Sequence, residues 1–167
     1  VPNGGSHSHA SGQSVYSLRD VTRQMNSRQL AERLIARNRS ESDAASSVSS
    51  VAALAAEDLF VALSRWVGAD GCHALFTRAQ TDELVAHPSL SSLQLRPRTQ
   101  PHLDGVSATA IKYGEAETAL AIQAAMVATI ELLGRLIGAE MAANLIERTL
   151  PGPSYDGEHE NNRARAQ

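Results

Sequence analysis

Cysteine is nearly missing from this chain. Cys72 stands alone, which excludes an intramolecular disulfide framework and leaves too few thiolates for a cysteine-based zinc site. A single thiol fits a reducing setting, so the expected location is cytoplasmic. Net basic charge is lacking as well: a formal charge of −3 and a pI near 6.1 give no overall field of the kind that holds a protein on a phosphate backbone. No apolar run is expected to approach the roughly 20 residues that span a bilayer. The opening VPNGGSHSHASG has neither the basic start nor the apolar stretch of a secretory signal. The chain therefore reads as a soluble protein with no membrane span. Its start at Val1, followed by GGSHSHASG, reads as a processed end carrying a tag or linker remnant.

Signatures of chemistry are also missing. There is no Gly-rich phosphate loop of either common type. Ser154 and the serines of the linker lack a nucleophile elbow and an identifiable base. Glu115 and Glu117 open a helix, where carboxylates are expected for dipole reasons, so they are weak acid–base candidates. His73, His87 and His102, with Asp82 or Glu83, show no metal-ligand spacing. Cys72 next to His73 offers a low-pKa thiol or half of a metal site. The stronger reading makes Cys72 a small buried packing residue and points His73 elsewhere, because adjacent helical residues do not face a common ligand. No catalytic residue, metal or cofactor is assigned, and an enzyme is not expected.

What is present is apolar material in helical register. With 43% hydrophobic residues in 167, the chain can close one core of ordinary size. Residues 1–14 are Gly, Ser, His and Asn with few apolar side chains, and read as a disordered tail. Residues 15–39 form a basic amphipathic arm of one or two short helices. Ser27 is a plausible N-cap there, and Leu30, Leu34 and Ile35 share a face. Six arginines between Arg19 and Arg39 face only Asp20 and Glu32. A Ser-rich linker follows over 40–47.

The region 48–150 contains an internal echo. Leu63 to Ala79, LSRWVGADGCHALFTRA, recurs seventy positions later as Leu133 to Thr149, LGRLIGAEMAANLIERT, with six identities in seventeen positions. The identical pairs are Leu63/Leu133, Arg65/Arg135, Gly68/Gly138, Ala69/Ala139, Leu75/Leu145 and Arg78/Arg148; Trp66/Leu136, Val67/Ile137, Asp70/Glu140 and Phe76/Ile146 keep their chemistry. The pattern predicts a long helix over 48–67, a left-handed glycine at Gly68, and a second helix with the stripe Cys72, Leu75, Phe76 and Ala79, closed by His87-Pro88. A proline-containing connector with buried leucines leads to a short helix over 106–113. Gly114 then breaks it before a central apolar helix over 115–137, and Gly138 starts the second corner. The corner arginines read as solvated or paired helix residues.

The expected fold is all-α: a four-helix bundle from two duplicated helix-corner-helix units, about 48–86 and 115–150. The N-terminal arm precedes it, and residues 151–167 form a disordered tail. The expected function is a non-enzymatic protein–protein interaction or regulatory module, with self-association through the wide apolar face of 115–137. The arm would dock to a partner through Leu30, Leu34, Ile35, Arg28, Arg33 and Arg37. Two alternatives stand. One is a nucleic-acid-binding regulator using a helix-turn-helix-like corner and the basic arm, although Asn144 and Glu147 fall where that motif needs a core. The other is a sensor holding a small ligand or metal between the repeats.

Overall fold

The computed structural model describes residues 15–149, with side chains described from Ser27 to Arg148. Both expected tails, with Pro151 to Ser154, lie outside the described residues. The protein is mostly helical, with α1 at Val15–Glu41, α2 at Val48–Glu83, α3 at Val106–Tyr113, α4 at Glu115–Ile137 and α5 at Ala139–Thr149. A 3-10 turn at Pro88–Ser92 and a two-stranded hairpin, β1 at Gln94–Leu95 and β2 at Leu103–Asp104, fill the connector.

The first helix is one continuous element. Its sequence holds neither Gly nor Pro, so nothing breaks the ladder and Ser27 is an interior, buried residue instead of an N-cap. The cap sits at Ser47, whose hydroxyl accepts the Ser50 N–H at 3.2 Å and opens α2. The Ala-rich first half of α2 lets neighbouring backbones approach closely, and Ala52, Ala55, Ala56, Leu59, Phe60 and Leu63 all enter the core.

Two glycines make the corners. Gly68 has φ 75° and ψ 162°, and Gly138 has φ 94° and ψ 142°. The positive φ agrees with expectation, but ψ is extended instead of left-handed helical, a region that suits glycine and few other residues. The difference matters because an extended ψ lets one residue serve two helices. The Gly138 N–H donates to the Gly134 carbonyl at 2.9 Å, closing α4, and its own carbonyl accepts the Ala142 N–H at 3.0 Å, opening α5. At Gly68 the chain folds back on itself, which brings the Phe76 ring to 5.6 Å from Phe60 and the Cys72 Sγ to 3.5 Å from the Phe60 carbonyl.

The first half of α2 and α4 begin side by side, since a Glu115 carboxylate oxygen accepts the Ser49 N–H at 3.2 Å. They form the most extensive helix pair in the fold. Helix α4 also packs against α1, α3 and α5, which explains its broad apolar surface: Ala121, Ile122, Met126, Ile130 and Leu133 are all buried. By length and composition this 23-residue helix is apolar enough to cross a membrane, with mean hydropathy 1.6 over an 18-residue stretch of it, which corrects the expectation that no run approaches that length. Half of the stretch is buried within the fold. Its buried threonines need no outside partner, because the Thr118 and Thr129 hydroxyls donate to the Gly114 and Ala125 carbonyls at 2.8 and 2.7 Å.

Candidate functional site

Two places stand out from this frame: the connector between residues 84 and 105, and the corner end where Gly68 and Gly138 lie. The connector is held by side chains from the helices it crosses. Glu57, in the middle of α2, accepts the Leu103 N–H at 2.7 Å with one oxygen and contacts His102 Nδ1 at 2.7 Å with the other. His102 stacks on Phe60 with ring centroids 3.9 Å apart. On α4, Glu117 makes the matching contacts with His87 Nδ1 at 3.2 Å and the Ser89 hydroxyl at 3.3 Å. Gln80 donates to the Leu90 and Leu93 carbonyls at 2.5 and 3.0 Å. Polar groups taken from water in this way stabilise only when both partners are present. The connector is thus fastened at both ends and in the middle.

Under it lies an apolar cavity of about 20 Å³, lined by residues such as Phe76, Leu90, Leu93, Leu103 and Ile122. That volume admits about one water-sized body. It lies far below the several hundred Å³ of a typical small-molecule site.

The two histidines of the connector are held in separate pairs, His87 with Glu117 and His102 with Glu57. Asp82 pairs with Arg78 at 3.1 Å on its own helix. Among the described residues no group of three or more His, Cys, Asp or Glu comes together. Cys72 is buried beside the Phe60 carbonyl, and burial pushes its thiol up to about 12 although the Ser64 hydroxyl works in the opposite direction. A thiol held so high is a packing group and not a ready nucleophile.

The arm residues fall into two sets. Leu30 and Leu34 are buried in this chain's own core, and Ile35 packs against it half-buried. Arg33 reaches Glu147 on α5 at 2.9 Å, and Arg37 reaches Asp58 on α2 at 2.7 Å, where Asn38 adds a second bond at 2.8 Å. Arg28 is exposed. The two paired arginines carry cations that are partly neutralised within the chain, which weakens the arm as a phosphate-binding strip. Asn144 and Glu147, expected at core positions of a helix-turn-helix, are exposed, and Ala142 and Ile146 supply that core instead.

The corner end has the opposite character. Of the eleven exposed large apolar side chains among the described residues, five belong to the two corners: Trp66 and Val67 before Gly68, and Leu136, Ile137 and Met141 around Gly138. Leu136 is 71% exposed and Met141 54%. Sequence pattern found the first four as repeat positions, and Leu136 and Ile137 also as part of the apolar face of 115–137 expected to self-associate. Met141 and the Glu57 clasp were missed. The signal for Glu57 was available: Glu57 and Asp58 are the only acidic residues between Val48 and Ala69, and carboxylates on a helix this apolar need partners.

No family model matches this chain, and no curated protein and no solved structure matches it either.

Proposed function

We propose that the protein is a non-enzymatic helical protein–protein interaction or regulatory module whose docking surface is the corner end. One observation carries the reading: large apolar side chains are exposed on both corners, while the ionisable groups of the connector are used in pairs that fasten the chain to itself. Exposed apolar side chains gathered in one place mark recognition surfaces more often than those scattered singly, and Trp66 is of the residue type that dominates interface energetics.

The same proposal takes the two corner units as duplicates arranged as a four-helix bundle. One feature supports this beyond the sequence identities. The positions seventy apart share burial at Phe60 and Ile130, Leu63 and Leu133, Cys72 and Ala142, and Phe76 and Ile146. Docking of the arm itself, through Leu30, Leu34 and Ile35, is the less favoured form. It would draw Leu30 and Leu34 out of the core, at about 1.5–3 kcal/mol for each side chain.

The test is site-specific photocrosslinking in cells that make the protein, with a benzophenone amino acid at Leu136 and, as control, at exposed Ser107 on α3. A discrete adduct from position 136 and none from position 107 is the expected result. Adducts at neither position, or equal yields at both, overturn the reading.

A further inference from the structure

We infer that Thr99 is a phosphorylation site, the acceptor for a protein kinase that recognises arginines one and three residues before the hydroxyl. The pattern Arg-x-Arg followed by Ser or Thr occurs twice in the chain, as RNRS over 37–40 and as RPRT over 96–99. Guanidinium groups at these two places meet carboxylates of a kinase's substrate groove through charge-assisted hydrogen bonds, and charge patterns of this kind separate one kinase's substrates from another's. The fold makes the two copies unequal. Ser40 lies in the last turn of α1, where its hydroxyl donates to the Arg37 carbonyl at 2.7 Å. Arg37 is half-buried and tied to Asp58 at 2.7 Å, and the buried Asn38 next to it donates to the Leu34 carbonyl and to Asp58. Presenting Ser40 to an enzyme therefore requires unwinding the end of α1 and withdrawing Arg37 and Asn38 from α2.

Thr99 requires neither. It stands in the loop 96–102 that joins β1 to β2, closed at its base by the Arg96 N–H, which donates to the His102 carbonyl at 2.7 Å. Arg98, Thr99, Gln100 and Pro101 are all exposed, and Pro97 and Pro101 have no N–H to give to a helix. The Thr99 hydroxyl has no partner among the described residues. Those of Ser42 and Thr81, which also stand three residues after an arginine, donate to the Asn38 and Thr77 carbonyls at 2.6 and 2.8 Å. Both arginines of the loop are within an enzyme's reach. Arg96 pairs with Asp104 at 2.7 Å and Arg98 with Asp70 at 2.9 Å, but both arginine side chains are more than half exposed, and ion pairs this open hold weakly. In the transfer, Thr99 Oγ1 bonds to the γ-phosphorus of ATP as the bond to the β-phosphate oxygen breaks; ADP leaves, and the hydroxyl proton passes to the kinase's base. The new group carries about two negative charges, which offset those of Arg96 and Arg98.

Phosphopeptide mass spectrometry on two samples of the full chain provides the test. One is protein recovered from the cells that make it, with phosphatases inhibited. The other is purified protein incubated with ATP and a kinase that requires arginine three residues before its acceptor. Phosphate at Thr99 in both samples, and none at Ser40, is the expected result. In the second sample Thr99→Ala is expected to abolish incorporation at this loop and Thr99→Ser to keep it. Arg96→Ala is expected to slow it about tenfold or more, the worth of one charge-assisted hydrogen bond. Far-UV circular dichroism shows that each variant is folded. Absence of phosphate at Thr99 from either sample overturns the proposal. So does phosphate on Ser40 at a comparable rate, or incorporation at Thr99 that Arg96→Ala leaves unchanged.

Discussion

Glu57 contacts His102 at 2.7 Å through one carboxylate oxygen while the other accepts the Leu103 N–H at 2.7 Å. A single side chain on α2 thereby fixes both a histidine and the backbone next to it, at the point where the connector re-enters the fold as β2. Removing it strands two part-buried groups at once. Glu57→Ala is expected to lower stability by about 1–3 kcal/mol in equilibrium urea unfolding. Glu57→Gln keeps an acceptor for the Leu103 N–H and is expected to lose less. Equal losses for the two variants would mean that the carboxylate acts through something other than its hydrogen bonds.

The corner glycines make a paired prediction. A Cβ added at Gly68 or Gly138 meets nothing within 4 Å, so the penalty of Gly→Ala is backbone strain alone, about 1–3 kcal/mol at each position. Because the two sites share a conformation, their losses should be similar and should add in the double variant, as expected for separate sites with no shared partners. Thermal unfolding of the four proteins measures this. A negligible effect at either corner would show that the chain reaches the reversal by another conformation.

These corners are also where sequence reading worked best. The glycines, the stripe Cys72, Phe76 and Ala79, and the boundaries of α3, α4 and α5 follow from local rules: periodicity, dipole-suited carboxylates and glycine at a reversal. What local rules could not reach is what the stripes face. Leu30, Leu34 and Ile35 form an amphipathic face whether it covers this chain's own core or a partner's groove, and only the tertiary arrangement shows the first. The Glu57–His102 and Glu117–His87 pairs join residues 45 and 30 positions apart, a separation at which sequence carries no periodic signal. The extended ψ at Gly68 was equally illegible, since glycine permits several positive-φ states and its identity does not choose among them.

The Cys72 thiol gives a prediction with a defined sign. Its ordinary value of 9.0 is raised to about 12 by burial, so the folded state holds the proton more tightly than the unfolded state does. The stability linked to this group is complete below pH 9.0 and declines as pH rises from 9.0 towards 12. Cys72→Ala, which places alanine where Ala142 stands in the second unit, is expected to flatten that part of the stability–pH curve relative to the wild type. The thiol should also resist a neutral-pH alkylating reagent until denaturant unfolds the chain. Rapid labelling of the native protein would contradict the burial.

Glu115 works in the other direction. Hydrogen bonds from Ser49 and Ser47 hold its carboxyl below its ordinary value of 4.5, so its contribution is present above pH 4.5 and is lost as pH falls below that. The carboxylate satisfies the Ser49 N–H in the first turn of α2, a donor without an intrahelical partner. Glu115→Gln is expected to reduce the slope of stability against pH in this acid range. An unchanged slope would assign the acid sensitivity to other carboxylates.

The arm supplies the prediction that separates an integral helix from a tethered peptide. Leu34 is 1% exposed, and the helix that carries it contacts both α2 and α4, so truncation leaves a cavity between three elements. Leu34→Ala is expected to destabilise the whole fold by about 2–5 kcal/mol, in one cooperative transition. Arg33→Ala, which removes an ion pair whose side chains are 61% and 46% exposed, is expected to change stability by less than about 1 kcal/mol. The contrast carries the inference, because both residues sit on the same helix within one residue of each other and differ only in the face they occupy. If Leu34→Ala left the unfolding midpoint where it was, the arm would not be part of the core, and docking through Leu30, Leu34 and Ile35 to another protein would become the better account of that helix.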